Sequence, residues 1–196
     1  FFFKQKTAYE IYQCDWSSDV CSSDLLDLAT NDRTFALAAA TLRQAISDMP
    51  ELTELSKNLI IQETKDGLDV ALVDQSGRSM FADGSSEPQP FVRDALIKLA
   101  GPIRKLSNRI AITGHTARPA TDKMGEASPW DLSVSRAAAV RTVLSEAGLP
   151  RDRFALIAGK ADTEPLFPDN PTLAANRRID IVLLREPPPL PIQKKF

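Results

Sequence analysis

Residues 109–147 read RIAITGHTARPATDKMGEASPWDLSVSRAAAVRTVLSEA, and this stretch decides the fold. Arg109 to Thr113 alternates, with Ile110 and Ile112 directed inward, which is the pattern of a strand. The strand delivers Gly114, His115 and Thr116 into a polar loop. A helix then begins at Ser128: serine as N-cap, Pro129 in the first helical position and Asp131 completing a Ser-x-x-Asp cap. Gly148 and Pro150 stop that helix. On it Leu132, Val140, Val143, Leu144 and Ala147 form an apolar stripe, and Arg136 lies one turn from both Leu132 and Val140 on the same stripe. A guanidinium that faces inward keeps its proton, so it requires acceptors or a solvent-filled groove. Its planar fork suits a carboxylate ligand, although snorkelling onto Asp131 or another acidic neighbour satisfies the same chemistry.

Outward from this stretch the elements follow one another at short spacing. Asp32 to Met49 carries Phe35, Ala38, Ala39, Leu42, Ala45, Ile46 and Met49 at helical intervals, and a short helical continuation follows Pro50. Leu59 to Glu63 and Leu68 to Val73 are β-prone runs separated by Lys65, Asp66 and Gly67, a hairpin with Leu68, Val70 and Leu72 on one face. Residues 75–90 form a polar loop anchored by Met80 and Phe81. A helix follows from Pro90, with Phe91, Ala95, Leu96, Leu99, Ile103 and Leu106 as its stripe and Pro102 as an expected kink or break. Phe154 to Ala158 and Ile179 to Leu184 are strands, with a short helical turn at Thr172 to Asn176 between them. The order β, β, α, β, α, β, β behind a leading amphipathic helix predicts an α+β sandwich, a mixed sheet with helices packed on one face.

The 196 residues suffice for one well-buried domain with appendages. A formal charge of -2 and the lack of a basic stripe with interleaved aromatics argue against a nucleic-acid partner. No run approaches the roughly 20 apolar residues of a membrane helix. Residues 1–25 differ in composition from the rest: they hold Cys14 and Cys21, both tyrosines and Trp16. The peptides 1–11 and 15–25 look like translated sequencing-adapter DNA, so 1–25 reads as a non-native leader rather than a signal peptide, whose apolar core Asp15, Asp19 and Asp24 would interrupt. Without that leader the chain has 22 basic and 22 acidic residues and no cysteine, which removes a disulfide framework, a thiol nucleophile and a Cys-ligated metal together. The expected organisation is a helical linker over 26–57, a domain over 58–186 and a disordered proline-rich tail over 187–196.

The Gly-His-Thr tract, the Leu-Ser-x-x-Arg-Ala motif at 132–137 and the Asn-Arg-Arg run at 176–178 together resemble the OmpA-like peptidoglycan-binding domain. Val73–Gln75, Gly77–Phe81, Trp130–Ala137, Ala174–Ile179 and Leu183–Arg185 resemble more closely its version in flagellar stator proteins of the MotB type. The likeness covers residues 68–185. It implies a non-enzymatic wall anchor: the periplasmic domain of an inner-membrane protein, dimeric, gripping diaminopimelate-containing stem peptides. It also implies a MotA-like partner, met through a membrane helix preceding this chain, and no cofactor or metal.

The resemblance also implies a site. Arg136 would hold a diaminopimelate carboxylate, with Thr116, Ala117, Asn176, Arg178 and Phe81 around it. Ala117 stands where the family carries the aspartate that takes the ligand's amino group, and Pro129 stands where relatives commonly carry asparagine. The expectation is either weak binding or the use of Asp122 or Glu126 from the loop in place of the lost acid. Of the two adjacent arginines, which face opposite ways on a strand, Arg178 is matched to the family's inward one. Two other readings stand beside this. One is a generic outer-membrane or lipoprotein wall anchor. The other is a wall hydrolase with His115 as base, Asp122 or Asp131 as orienter and Ser133 as nucleophile, for which the sequence supplies no nucleophile elbow or oxyanion hole.

Overall fold

The structure, a computed structural model, describes residues 58–185 except 76 and 119–127, together with 33, 35–37, 39–44, 47 and 48. The chain divides into two compact units, residues 1–37 and 38–196, and the second holds the sheet. The expected leader, the Pro50 continuation and the proline-rich tail lie outside the described residues. Within the leading segment residues 39–44 are helical, with Ala39 and Leu42 buried.

The hairpin forms as read: β1 (Leu59–Glu63) and β2 (Gly67–Val73) pair antiparallel from Leu59 opposite Leu72 to Glu63 opposite Leu68. The turn closes through the Thr64 and Gly67 backbones. Gly67 is required there, because a methyl group would overlap the Leu183 carbonyl of the neighbouring strand. Next come α1 (Pro90–Arg104), β3 (Ile110–His115), α2 (Pro129–Glu146), β4 (Phe154–Gly159) and β5 (Arg178–Leu184). The sheet order is β1-β2-β5-β3-β4, with β3 and β4 parallel and every other pair antiparallel. α2 is the crossover between the parallel strands, and it packs on both of them and on α1.

One sheet face carries Leu68, Val70, Leu72, Ile110, Ile112, Ile179, Ile181 and Leu183, all nearly or fully buried beneath the helices. β2 departs from the single buried face expected of it, since all seven of its residues are buried. It is an interior strand, paired with β1 on one side and β5 on the other, and Val73 shares a cavity with Leu166, Phe167 and Leu173. On α1 the core-facing residue of the first turn is Val92, not Phe91. Phe91 instead lies under the Arg78 guanidinium at 4.3 Å. Pro102 does not end α1, which continues to Arg104. It falls in the last turn, where the missing N–H costs a single bond.

α2 has the predicted cap: the Ser128 hydroxyl accepts from the Trp130 amide at 3.3 Å, with Pro129 in the first turn. Gly148, at φ +95°, ends it. β3 runs two residues past Thr113, so Gly114 pairs with Ile179 and with Gly159 of β4. A side chain at Gly114 would overlap the Ser133 carbonyl, and one at Gly159 would overlap the Ser133 hydroxyl and the Val134 amide. The first turns of α2 therefore rest directly on the backbone of two strand ends. Gly114→Ala should destabilise the domain by about 1–3 kcal/mol through forced separation of α2 from β3, read as a lower urea midpoint; an unchanged midpoint would show that this contact is slack.

Candidate functional site

Arg136 lies on the buried face of α2 and is 4% exposed. Its Nε donates to the Ser85 carbonyl at 3.0 Å and its Nη2 reaches the Ala82 carbonyl at 3.5 Å, both from the loop between β2 and α1. The guanidinium carbon stands 4.9 Å from the centroid of the Phe81 ring. Phe81 is thus both core, at 3% exposed, and the floor under the cation. Burial pushes the Arg136 pKa down, while the nearby charge of Asp74 works the other way. Among the described residues Arg136 has no ion-pair partner; it is held by neutral carbonyls and a ring.

Asp74, at the end of β2, is the buried acid of this region. It accepts from the Met80 amide at 2.6 Å, from the Ser79 hydroxyl at 3.0 Å and from Arg177 Nε at 2.6 Å, and its own amide donates to the Arg177 carbonyl. Arg177 contributes to the field at Arg136, and its side chain is one-third exposed.

Arg178 is not brought to Arg136. It pairs with His115 across the β5–β3 ladder, on the face that carries no helix. There Arg178 Nε lies 3.1 Å from both Asp180 oxygens, its Nη1 donates to the Glu164 carbonyl, and its Nη2 is 3.3 Å from His115 Nε2. Arg177, not Arg178, therefore lies on the Arg136 side of the sheet. Strand alternation separates the two side chains, but only the register, with Ile179 beneath the helices, says which goes where. Asn176 is fully buried, its oxygen accepts from the Phe167 amide and its nitrogen donates to the Asn170 carbonyl, so it staples the loop before β5.

Thr116 is buried, its amide donates to the Ala161 carbonyl at 2.8 Å, and its hydroxyl has no partner. Ala117 is half-buried and presents only a methyl group, followed by Arg118, which pairs with Asp162 at 3.2 Å. Asp122 and Glu126 lie outside the described residues.

The hydrolase constellation is not assembled. Ser133 is fully buried on the helix-bearing side, its hydroxyl donating to the Trp130 carbonyl and accepting from the Ala161 amide. His115 lies on the opposite face of the sheet, 3.1 Å from Asp180. Sequence reasoning missed the structural part of Ser133, whose signal was the pair of glycines at the strand ends. It also missed Asp74, whose signal was an acid closing a wholly buried strand. Among the described residues no group of three or more His, Cys, Asp or Glu side chains is placed to hold a metal ion, and no helix is long and apolar enough to cross a membrane.

On the helix-free face, Asp69, Thr113, His115, Asp180 and Glu164 line a cleft of about 330 Å³. Burial, then the like charge of Asp180, raises the Asp69 pKa from 3.8 to about 6. A carboxyl whose folded pKa is raised binds its proton more tightly when folded, so its contribution is greatest below pH 3.8 and is lost as pH rises to about 6. Asp69→Asn should flatten stability between those pH values and raise it at pH 7.5 by about 1–3 kcal/mol. Chemical denaturation at a series of pH values checks this, and an unaltered pH slope would contradict it.

The OmpA family matches residues 80–178 of this chain. LafU of Escherichia coli O44:H18 is 37% identical over 143 residues, 73% of this chain and 46% of that protein. Motility protein B of Escherichia coli K12 is 34% identical over 146 residues, 74% of this chain and 47% of that protein. The chain thus spans about half the length of both relatives. Among solved structures, the cell wall anchor of the type VI secretion system from Pseudomonas aeruginosa superimposes with a TM-score of 0.58 at 25% identity, over 74% of this chain and 97% of that one.

Proposed function

Because the chain belongs to the OmpA family, we propose that it is a non-enzymatic peptidoglycan anchor of the flagellar stator type, with Arg136 as the carboxylate-binding residue. The observation that carries this reading is a buried guanidinium held, among the described residues, by carbonyls and a ring. Those partners orient the fork and leave its charge uncompensated by direct contact, which favours an incoming anion. A carboxylate of a diaminopimelate-containing stem peptide is the ligand of that chemistry in a cell wall. The domain would then be the periplasmic part of an inner-membrane protein, working as a dimer with a MotA-like partner met through a preceding membrane helix. The likeness to the type VI secretion anchor supports a second reading, a wall anchor outside the motor. A membrane helix bearing an acidic residue, encoded upstream in the gene, would decide for the stator.

The family's acid that receives the ligand's ammonium is absent at Ala117, so half of the charge recognition is missing. A charge-assisted hydrogen bond of this kind contributes about 1.5–3 kcal/mol, a tenfold or greater effect on affinity. Purified sacculi supply the test. The chain should co-sediment with them without releasing soluble muropeptides, and Arg136→Ala should lose co-sedimentation while keeping its circular dichroism spectrum. Retention by that variant would remove Arg136 from the site, and muropeptide release would replace the anchor with a hydrolase. Ala117→Asp should tighten binding about tenfold or more; no gain would mean that the ammonium is read elsewhere or not at all.

A further inference from the structure

We propose that Asp74 is the positioning residue of the arginine site: one buried carboxylate that fixes the loop holding Arg136 and, at the same time, clamps Arg177 beside it. This rests on the reading of Arg136 as a carboxylate binder.

Arg136 depends on a loop for its orientation. The Ala82 and Ser85 carbonyls and the Phe81 ring come from residues 81–85, a segment without regular secondary structure apart from the bridge between Phe81 and Pro88. That loop is tied to the sheet where it begins. Asp74 Oδ1 takes the Met80 amide, and the single Ser79 hydroxyl proton is shared between Asp74 Oδ2 at 3.0 Å and the Phe81 carbonyl at 2.8 Å, so one carboxylate holds the chain at Met80 and at the residue before it. The bond to the Met80 amide is charge-assisted and buried, the setting in which such bonds are strongest.

The same carboxylate also sets the charge of the site. Oδ2 receives Arg177 Nε at 2.6 Å, and Arg177 makes no other side-chain hydrogen bond among the described residues. Asp74 raises and Arg177 lowers the proton affinity of Arg136, so both charges are felt at its guanidinium. Arg177 is paired with the buried carboxylate directly, whereas Arg136 feels Asp74 and the exposed Asp83 only through space, so its guanidinium stays open to a direct carboxylate contact. A neutral group at position 74 would leave Arg177 Nε without its acceptor and weaken the hold on the loop.

Asp74→Asn separates these effects from simple folding. Asparagine still offers Met80 an acceptor oxygen, but it loses the charge and turns a donor toward Arg177. In the ¹⁵N-labelled whole chain, hydrogen exchange at Arg136 Nε–H should become about tenfold faster or more, with the amide protection of β2, β5 and β3 unchanged. Affinity for sacculi should fall about tenfold or more, and adding Arg177→Gln should weaken it little further, since the two residues act as a unit. Unchanged Arg136 exchange, or additive losses in the double variant, would overturn the proposal. Should Asp74→Asn fail to fold, Ser79→Ala combined with Arg177→Gln removes two of the three partners and leaves the Met80 bond; Arg136 exchange must again accelerate. If the unsubstituted chain does not bind sacculi, the wall-anchor reading fails, and the exchange measurement still decides the positioning role.

Discussion

The seating of α2 on the ends of β3 and β4 is the contact on which the rest depends. Ser133 meets strand backbone where Gly114 and Gly159 carry no side chain, and its hydroxyl joins the Trp130 carbonyl to the Ala161 amide. A helix held that close has its rotation fixed, because there is no flexible side chain between it and the sheet to absorb a turn. Rotation places Arg136, Ala137 and Val140 on the buried side together. An arginine thereby lies among core residues, and the loop from β2 to α1 supplies what its guanidinium needs. Arg136 is buried because its helix has no freedom to turn it outward.

The two faces of the sheet handle charge differently. Beneath the helices, Arg136 is matched by carbonyl dipoles and an aromatic ring, with Asp74 and Arg177 as near neighbours. On the other face, Arg178, Asp180 and His115 contact one another directly, while His115 Nδ1 and one Asp69 oxygen are buried without a partner among the described residues. The first arrangement answers a buried charge with dipoles and a ring. The second answers it with opposite charge, and burial together with the Asp180 charge raises the Asp69 pKa. Two consecutive arginines in the sequence thus enter two unlike environments.

Much of this was legible in the sequence where the physics is local. The Ser128 cap, the Gly148 stop and the Gly67 turn each depend on residues within a few positions, and each appears where composition places it. Arg136 on the inward stripe follows from the helical period alone. Non-local facts were not legible. Alternation says that Arg177 and Arg178 diverge, yet the direction of each is fixed by strand register across β2, β5 and β3. The burial of all seven β2 residues goes with its interior place beside β5, a strand about 100 residues later in the chain. Asn176 looks like a ligand-binding amide until its two partners in the 167–170 loop are seen. The resemblance marks the Asn-Arg-Arg run, and register alone divides its two arginines between the faces of the sheet.

The strand order has a consequence for how the domain comes into being. β5, the last strand in the chain, occupies the centre of the sheet, hydrogen-bonded to β2 on one side and β3 on the other. Until it is synthesised, the β1–β2 hairpin and the β3–α2–β4 unit have no strand to join them. Each exposes an unpaired edge and an apolar face. The sheet is therefore completed only by contacts of long sequence separation, a slow kind of folding event, and β5 is the element whose arrival turns two separate units into one.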